Sequence, residues 1–314
     1  MRAANVDALR VFDEFCYKCA LRIATAFDFT RSGYTLSLER EGRSSDAQPP
    51  PFAVGGHSRP DAHIQSSVIL RAEGLTKEFR GFYAVRDVRL EIVRGTIHAL
   101  IGPNGAGKTT CFNLLTKFLA PTHGRIFYND REITDKKPAD VARLGMVRSF
   151  QISAVFGHLT VLENVRIALQ RQRGNSFDFW RSEKALDAYN DRAMALLDDV
   201  GLAGFAAETA VSLPYGRKRA LEIATTLALD PQMLLLDEPT AGMGHEDIAR
   251  VAALIKKVAA DRTVLMVEHN LSVVADLSDT ITVLARGRVI AEGDYASVSK
   301  DPAVIEAYMG TAYA

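Results

Sequence analysis

Apolar and polar residues alternate most clearly at Val88, Leu90 and Ile92, with Arg89 and Glu91 between them. A period of two puts the apolar set on one side, so this stretch predicts a strand with one face buried. Ile97 to Ile101 is different: it is short, mostly apolar and runs directly into a glycine-rich loop. Met233 to Leu236 and Val264 to Val267 are similar runs, each followed at once by an acidic residue. Such runs suit strands of a parallel sheet covered on both faces. Helical spacing lies between them. Ile248, Val251, Ala252, Ile255 and Val258 form one apolar stripe, and Leu186, Tyr189, Met194 and Leu197 lie in another segment rich in helix formers. Ile281 to Leu284 and Val289 to Ala291 flank Arg286-Gly287-Arg288 and predict a hairpin. No repeat of about 20–50 residues is visible. The expected class is α/β from about residue 68 onward.

Residues 1 to 67 have another texture. Val6, Leu9, Phe12 and Cys16 fall near helical spacing, and Glu39 to Pro60 is rich in Ser, Pro, Gly and charge, with Pro49-Pro50-Pro51 inside it. That composition reads as a disordered extension. A docking arm, a dispensable tail and a start assigned too far upstream all fit it, and composition favours the last two.

The bulk numbers remove several classes. In 314 residues Lys plus Arg equals Asp plus Glu, 38 against 38, which lacks the basic excess usual in nucleic-acid proteins. Cys16, Cys19 and Cys111 are too few for a disulfide framework. Cys16 and Cys19 form a lone C-x-x-C without a second pair, which reads as two small apolar side chains rather than a metal site. No run of about 18 apolar residues occurs. Asp7, Asp13 and Glu14 interrupt the N-terminus where a secretory leader needs an apolar run. The expectation is a cytoplasmic protein that reaches a membrane only through a partner.

The candidate chemistry begins at Gly102-Pro103-Asn104-Gly105-Ala106-Gly107-Lys108-Thr109, which matches G-x-x-x-x-G-K-[ST]. Glycines let backbone N–H groups close on phosphate oxygens. A helix predicted from about Lys108 to Leu119, with Thr110 in its first turn, directs its positive end at the anion. In this motif Lys108 reaches the β- and γ-phosphates of ATP and Thr109 offers a hydroxyl to Mg²⁺. Leu234-Leu235-Leu236-Asp237-Glu238 supplies a buried strand ending in carboxylates: Asp237 for the Mg²⁺ shell, through water, and Glu238 to polarise the attacking water.

With these residues in place, the segment from Val68 to Gly310 resembles the ATP-binding subunits of ABC transporters. The resemblance implies a mixed-sheet P-loop core, an antiparallel β subdomain and a helical subdomain inserted at about 152–225. It implies that Phe79 stacks on adenine, that Gln151 of Arg148-Ser149-Phe150-Gln151 contacts Mg²⁺ and water, and that His269 touches the γ-phosphate. Phe156 and Leu159 would line the groove for a membrane subunit or serve as helical core. Leu159-Thr160-Val161-Leu162-Glu163-Asn164-Val165, Ala285 to Gly293 and Asp301-Pro302 followed by Val304 to Tyr308 resemble the LivG-type branch, which takes up branched-chain amino acids. That branch implies a second ATPase subunit, two integral membrane permease subunits, indirect supply by a periplasmic substrate-binding protein, no nucleic acid, and a place on the cytoplasmic face of the inner membrane.

Two departures stand out. The family's Leu-Ser-Gly-Gly-Gln signature is Leu213-Pro214-Tyr215-Gly216-Arg217 here, and Gly244 stands where an aspartate is expected. Pro214 removes a hydroxyl and an N–H, and Arg217 replaces a neutral amide by a cation. The amides of Tyr215 and Gly216 still suit a phosphate. Both elements act across the dimer in this family, so a heterodimer with unequal ATP sites is expected. Lipopolysaccharide-export ATPases share the short C-terminus but differ around the glutamine and histidine. A soluble ABC ATPase acting on DNA or ribosomes is disfavoured by the single cassette, the balanced charge and the lack of heptads. A regulator without turnover is opposed by Glu238, Gln151 and His269.

Overall fold

Ten strands follow one another as β1 (Val68–Phe79), β2 (Phe82–Val93), β3 (Ile97–Ile101), β4 (His123–Tyr128), β5 (Arg131–Glu132), β6 (Met146–Ser149), β7 (Met233–Asp237), β8 (Thr263–Val267), β9 (Thr280–Ala285) and β10 (Arg288–Gly293). The computed structural model describes residues 67–149, 155–170 and 187–309, all within one compact unit, Ser66–Ala314. The expectations for residues 1 to 66, for the Cys16/Cys19 pair and for Gln151 lie outside the described residues.

β1, β2, β4 and β5 make a four-stranded sheet ordered β2-β1-β4-β5, antiparallel throughout. The alternation in β2 is realised: Val88, Leu90 and Ile92 are buried, while Arg89 and Glu91 are exposed. The second sheet has six strands ordered β10-β9-β3-β8-β7-β6. Four of its five pairings are parallel, and β10 folds back antiparallel on β9 through the turn at Arg286 and Gly287.

The continuous apolar runs have a direct cause. Ala99, Leu234, Leu236, Val264 and Met266 face one hydrophobic cluster, whereas Leu100, Met233, Leu235, Leu265 and Val267 face another. Alternate residues of one strand thus enter two cores, which leaves little room for polar side chains; buried His98 of β3 is an exception. The first cluster is completed by α3 (Val161–Gln170), α4 (Asn190–Asp199), α5 (Tyr215–Leu227), α6 (His245–Ala259) and α7 (Leu271–Leu277); the second by α1 (Lys108–Leu115) and the antiparallel sheet. α2 (Pro138–Arg143), α8 (Tyr295–Val298) and α9 (Pro302–Met309) complete the helices among the described residues.

α1 is shorter than the sequence predicts, ending at Leu115 rather than Leu119. Thr116 turns its hydroxyl back to the Phe112 carbonyl (2.8 Å), and Lys117 takes a left-handed φ of 63°. A helix cannot continue through that conformation, and the Leu119 amide bonds to the Asn113 carbonyl instead (3.0 Å). The Leu159-to-Val165 segment also has a local logic. Thr160 and Glu163 form a reciprocal capping box at the start of α3, with the Thr160 amide on Glu163 Oε2 (2.7 Å) and the Glu163 amide on Thr160 Oγ1 (3.2 Å). Buried Asn164 both accepts from the Phe156 amide (2.7 Å) and donates to its carbonyl (3.1 Å), fixing the approach to the helix.

Candidate functional site

Strand order assembles the site. The glycine-rich loop follows β3, His269 follows β8, Asp237 closes β7, and β6 flanks β7. β3, β8, β7 and β6 are parallel neighbours in that order, so their carboxyl ends form one edge, where such sheets place ligands. Residues distant in the chain meet there for this reason alone.

The loop is clasped from both sides. A β-carbon at Gly102 would lie 2.1 Å from the Leu284 carbonyl oxygen, and one at Gly107 would lie 2.4 Å from that of Ala84. Both glycines have positive φ, 150° and 100°, so space and conformation exclude side chains alike. The Gly287 amide donates to the Ala106 carbonyl (2.9 Å), tying the β9–β10 turn to the loop. Lys108 Nζ donates to the carbonyls of Gly102 (2.7 Å) and Pro103 (3.0 Å). Burial pulls the Lys108 pKa down, and the nearby Glu238 carboxylate opposes that shift. Thr109 is exposed at the start of α1, as are Asn104 and Gly105 in the loop, while Thr110 is half-buried.

Asp237 is buried, and its carboxylate meets Arg148 at 2.5 Å. The same guanidinium donates to Asn113 Oδ1 (2.6 Å) and lies over the Phe112 and Phe118 rings, 4.9 and 5.5 Å from their centroids. Arg148 thereby joins β6, α1 and the end of β7. Buried Arg219 of α5 donates to the Asp237 carbonyl (2.9 Å) and pairs with Glu222. Glu238 takes a left-handed φ of 44°, with its amide on the Val267 carbonyl (2.9 Å). Glu268 is fully buried: Oε1 accepts from the Thr240 hydroxyl (2.6 Å) and amide (3.0 Å), and Oε2 from the amides of His269 (3.0 Å) and Asn270 (3.2 Å). This carboxylate fastens the loops after β7 and β8 together and leaves the His269 side chain exposed.

Arg148 and Glu268 were legible as residues but not as parts of the site. Arg148 is the one charged side chain in the four-residue strand β6, which was its signal. Glu268 is the acid after Val264 to Val267, whose role needs Thr240 beside it.

Phe79 lies 46% exposed at the end of β1, opposite Phe82, with Lys77 Nζ 5.3 Å from its ring centre. Tyr215 and Gly216 open α5, which packs on α3, α4, α6 and β6. Gly216 abuts the Asp247 carboxylate, 2.6 Å from where a β-carbon would stand. Arg217 does not project as a free cation: its guanidinium covers the Phe205 ring at 3.9 Å. Gly244 is the residue before α6.

A phosphate loop after one strand, carboxylates closing a second and a helical insertion between them define an ABC-type ATP-binding cassette. The ABC transporter profile matches residues 85–241, and the chain belongs to that family. A second profile, described as branched-chain amino acid ATP-binding cassette transporter, matches residues 288–314. The high-affinity branched-chain amino acid transport ATP-binding protein BraF of Pseudomonas aeruginosa is 38% identical, over 79% of this chain and all of its own length. LivG of Escherichia coli is 37% identical with the same coverage. The crystal structure of the ADP conformation of MJ1267, an ATP-binding cassette of an ABC transporter, is 32% identical with a TM-score of 0.69, covering 77% of this chain and 99% of that one. The chain is accordingly a nucleotide-binding ATPase subunit of an ABC transporter, a class that works with membrane permease components. Among the described residues no helix is long and apolar enough to cross a membrane.

Proposed function

We propose that this subunit hydrolyses ATP to power import of branched-chain amino acids, held at the cytoplasmic face of the inner membrane by two permease subunits that a periplasmic binding protein supplies. The observation that carries the reading is the match at residues 288–314 on top of coverage of BraF and LivG over their whole length. Lys108 and the loop amides stabilise the charge spread over the γ-phosphoryl oxygens. Glu238, whose backbone is fixed by Val267, orients the attacking water, and His269 senses the γ-phosphate. Phe79 carries adenine. The Thr109 hydroxyl and, through water, Asp237, with Gln151 as a further ligand, are oxygen donors of the kind Mg²⁺ takes. Mg²⁺ when bound supplies a Lewis acid against phosphate charge.

The amides of Tyr215 and Gly216 face the nucleotide of a second ATPase subunit. Pro214, the Phe205-bound Arg217 and Gly244 make that second site the weaker one. Reconstitution with the flanking permeases tests the substrate: ATP-dependent uptake of labelled leucine, inhibited by isoleucine and valine, is expected. Transport of lipopolysaccharide, or no amino acid uptake in a complex that hydrolyses ATP, would overturn it. In the isolated heterodimer Glu238→Gln should remove most hydrolysis; near-wild-type turnover would reverse the assigned asymmetry.

A further inference from the structure

Strand register brings Arg148 to Asp237. Arg148 stands opposite Leu235, and Asp237 lies two residues further along β7 on the same face, the face that α1 covers. Nη2 of the guanidinium donates to Asp237 Oδ2 at 2.5 Å, and Nη1 donates to Asn113 Oδ1 at 2.6 Å. The rings of Phe112 and Phe118 lie beneath it, 4.9 and 5.5 Å away at their centroids. Two hydrogen bonds and two rings fix this cation in place, which distinguishes it from a mobile surface charge.

Four carboxylates stand around the end of β7, and three of them are already compensated. Asp237 is paired with Arg148, and Glu222 with Arg219 at 2.5 Å. Glu268 is held by the amides of Thr240, His269 and Asn270 and by the Thr240 hydroxyl. Glu238 has no ion pair among the described residues. A hard divalent cation takes about six oxygen donors and favours ionised carboxylates. One uncompensated carboxylate does not supply them, and a carboxylate bonded to a guanidinium has lost most of its net attraction for a further cation. A nucleotide brings negative phosphate oxygens of its own.

We infer that Arg148 is a positioning residue for the metal site: its fixed guanidinium orients the Asp237 carboxylate and cancels its charge, so that a divalent cation is bound only together with nucleotide. The pair thereby orders the two ligands, with phosphate charge as the condition for metal. The inference deepens the ATPase reading and rests on its assignment of Asp237 to the Mg²⁺ shell.

The test uses Mn²⁺ as the probe, with the protein-bound ion followed by electron paramagnetic resonance in the full chain, with and without ADP. Titrations are run at about pH 8, above the ordinary range of carboxyl groups. The unaltered chain should hold Mn²⁺ at least about tenfold more tightly with ADP than without it. Arg148→Gln removes the charge and keeps an N–H donor; without nucleotide it should bind Mn²⁺ at least about tenfold more tightly than the unaltered chain. Arg148→Lys keeps the charge and should resemble the unaltered chain. Adding Asp237→Asn to Arg148→Gln should remove the gain, which ties it to this carboxylate. A pair with a structural role alone would alter unfolding and leave metal affinity as it was. Unchanged Mn²⁺ affinity in Arg148→Gln that is folded by circular dichroism therefore overturns the inference. Mn²⁺ bound equally tightly by the unaltered chain with and without ADP overturns it as well, and that measurement needs no variant to fold. Failure of the unaltered chain to bind Mn²⁺ even with ADP would instead refute the metal-site reading beneath the inference.

Discussion

Replacing Arg148 by Met should destabilise the nucleotide-free protein by about 3–4 kcal/mol, and the structure sets that magnitude. Asp237 is 1% exposed and Arg148 12%, so water screens neither end of the pair. Opposite charges about 4 Å apart attract by roughly 4 kcal/mol at an effective dielectric of 20. Removing one partner of a buried pair strands the other charge, at a cost of about 3–5 kcal/mol. Methionine fills part of the space over Phe112 and Phe118, which limits the packing loss, although the bond to Asn113 goes as well. The assay is denaturant unfolding of Arg148→Met, Asp237→Asn and the double variant. The double variant should recover about 2–3 kcal/mol relative to the sum of the singles, since it leaves no charge stranded. A loss under about 1 kcal/mol for Arg148→Met, or strict additivity, would show that the pair only offsets its own desolvation, and the reasoning fails.

Three further outcomes are expected. His98 is buried and its pKa is depressed by desolvation from 6.5 to about 4. Between those values the unfolded chain binds the proton and the folded chain does not, so stability is full above pH 6.5 and falls by about 3 kcal/mol as pH drops to 4. His98→Gln should flatten that part of the pH–stability curve; an unchanged slope would assign the acid sensitivity elsewhere. Gly107→Ala should abolish nucleotide binding, because the new methyl meets the Ala84 oxygen at 2.4 Å in a φ of 100°, and calorimetric titration with ATP checks it. Lys108→Ala should end ATP-dependent transport while leaving circular dichroism unchanged, since among the described residues Nζ bonds to loop carbonyls; transport at the normal rate would sink the assignment of the phosphate loop.

His98 also shows how far the structure refines a residue type. Its Nε2 lies 2.7 Å from the Thr282 hydroxyl, which donates to Glu292 Oε2 at 2.6 Å. A hydroxyl has one proton to give, so Nε2 must carry the hydrogen in the neutral ring. In the sequence His98 was only a polar interruption in a strand.

The chain determines locally which faces are apolar, where the backbone must turn and which short motifs can meet phosphate. Period-two alternation in β2 and the mostly apolar runs of β3, β7 and β8 encode one buried face or two. Gly102 to Thr109 encodes its own loop because glycine tolerance and the following helix are properties of neighbouring residues. Tertiary structure decided what those elements meet. Strand order put β8 between β3 and β7, and only then did Glu268 reach Thr240. Arg148 and Asp237 pair although 89 residues separate them. Arg217, a permanent cation on paper, lies on Phe205. Each of these contacts depends on long-range pairing and packing, which periodicity along the chain does not specify.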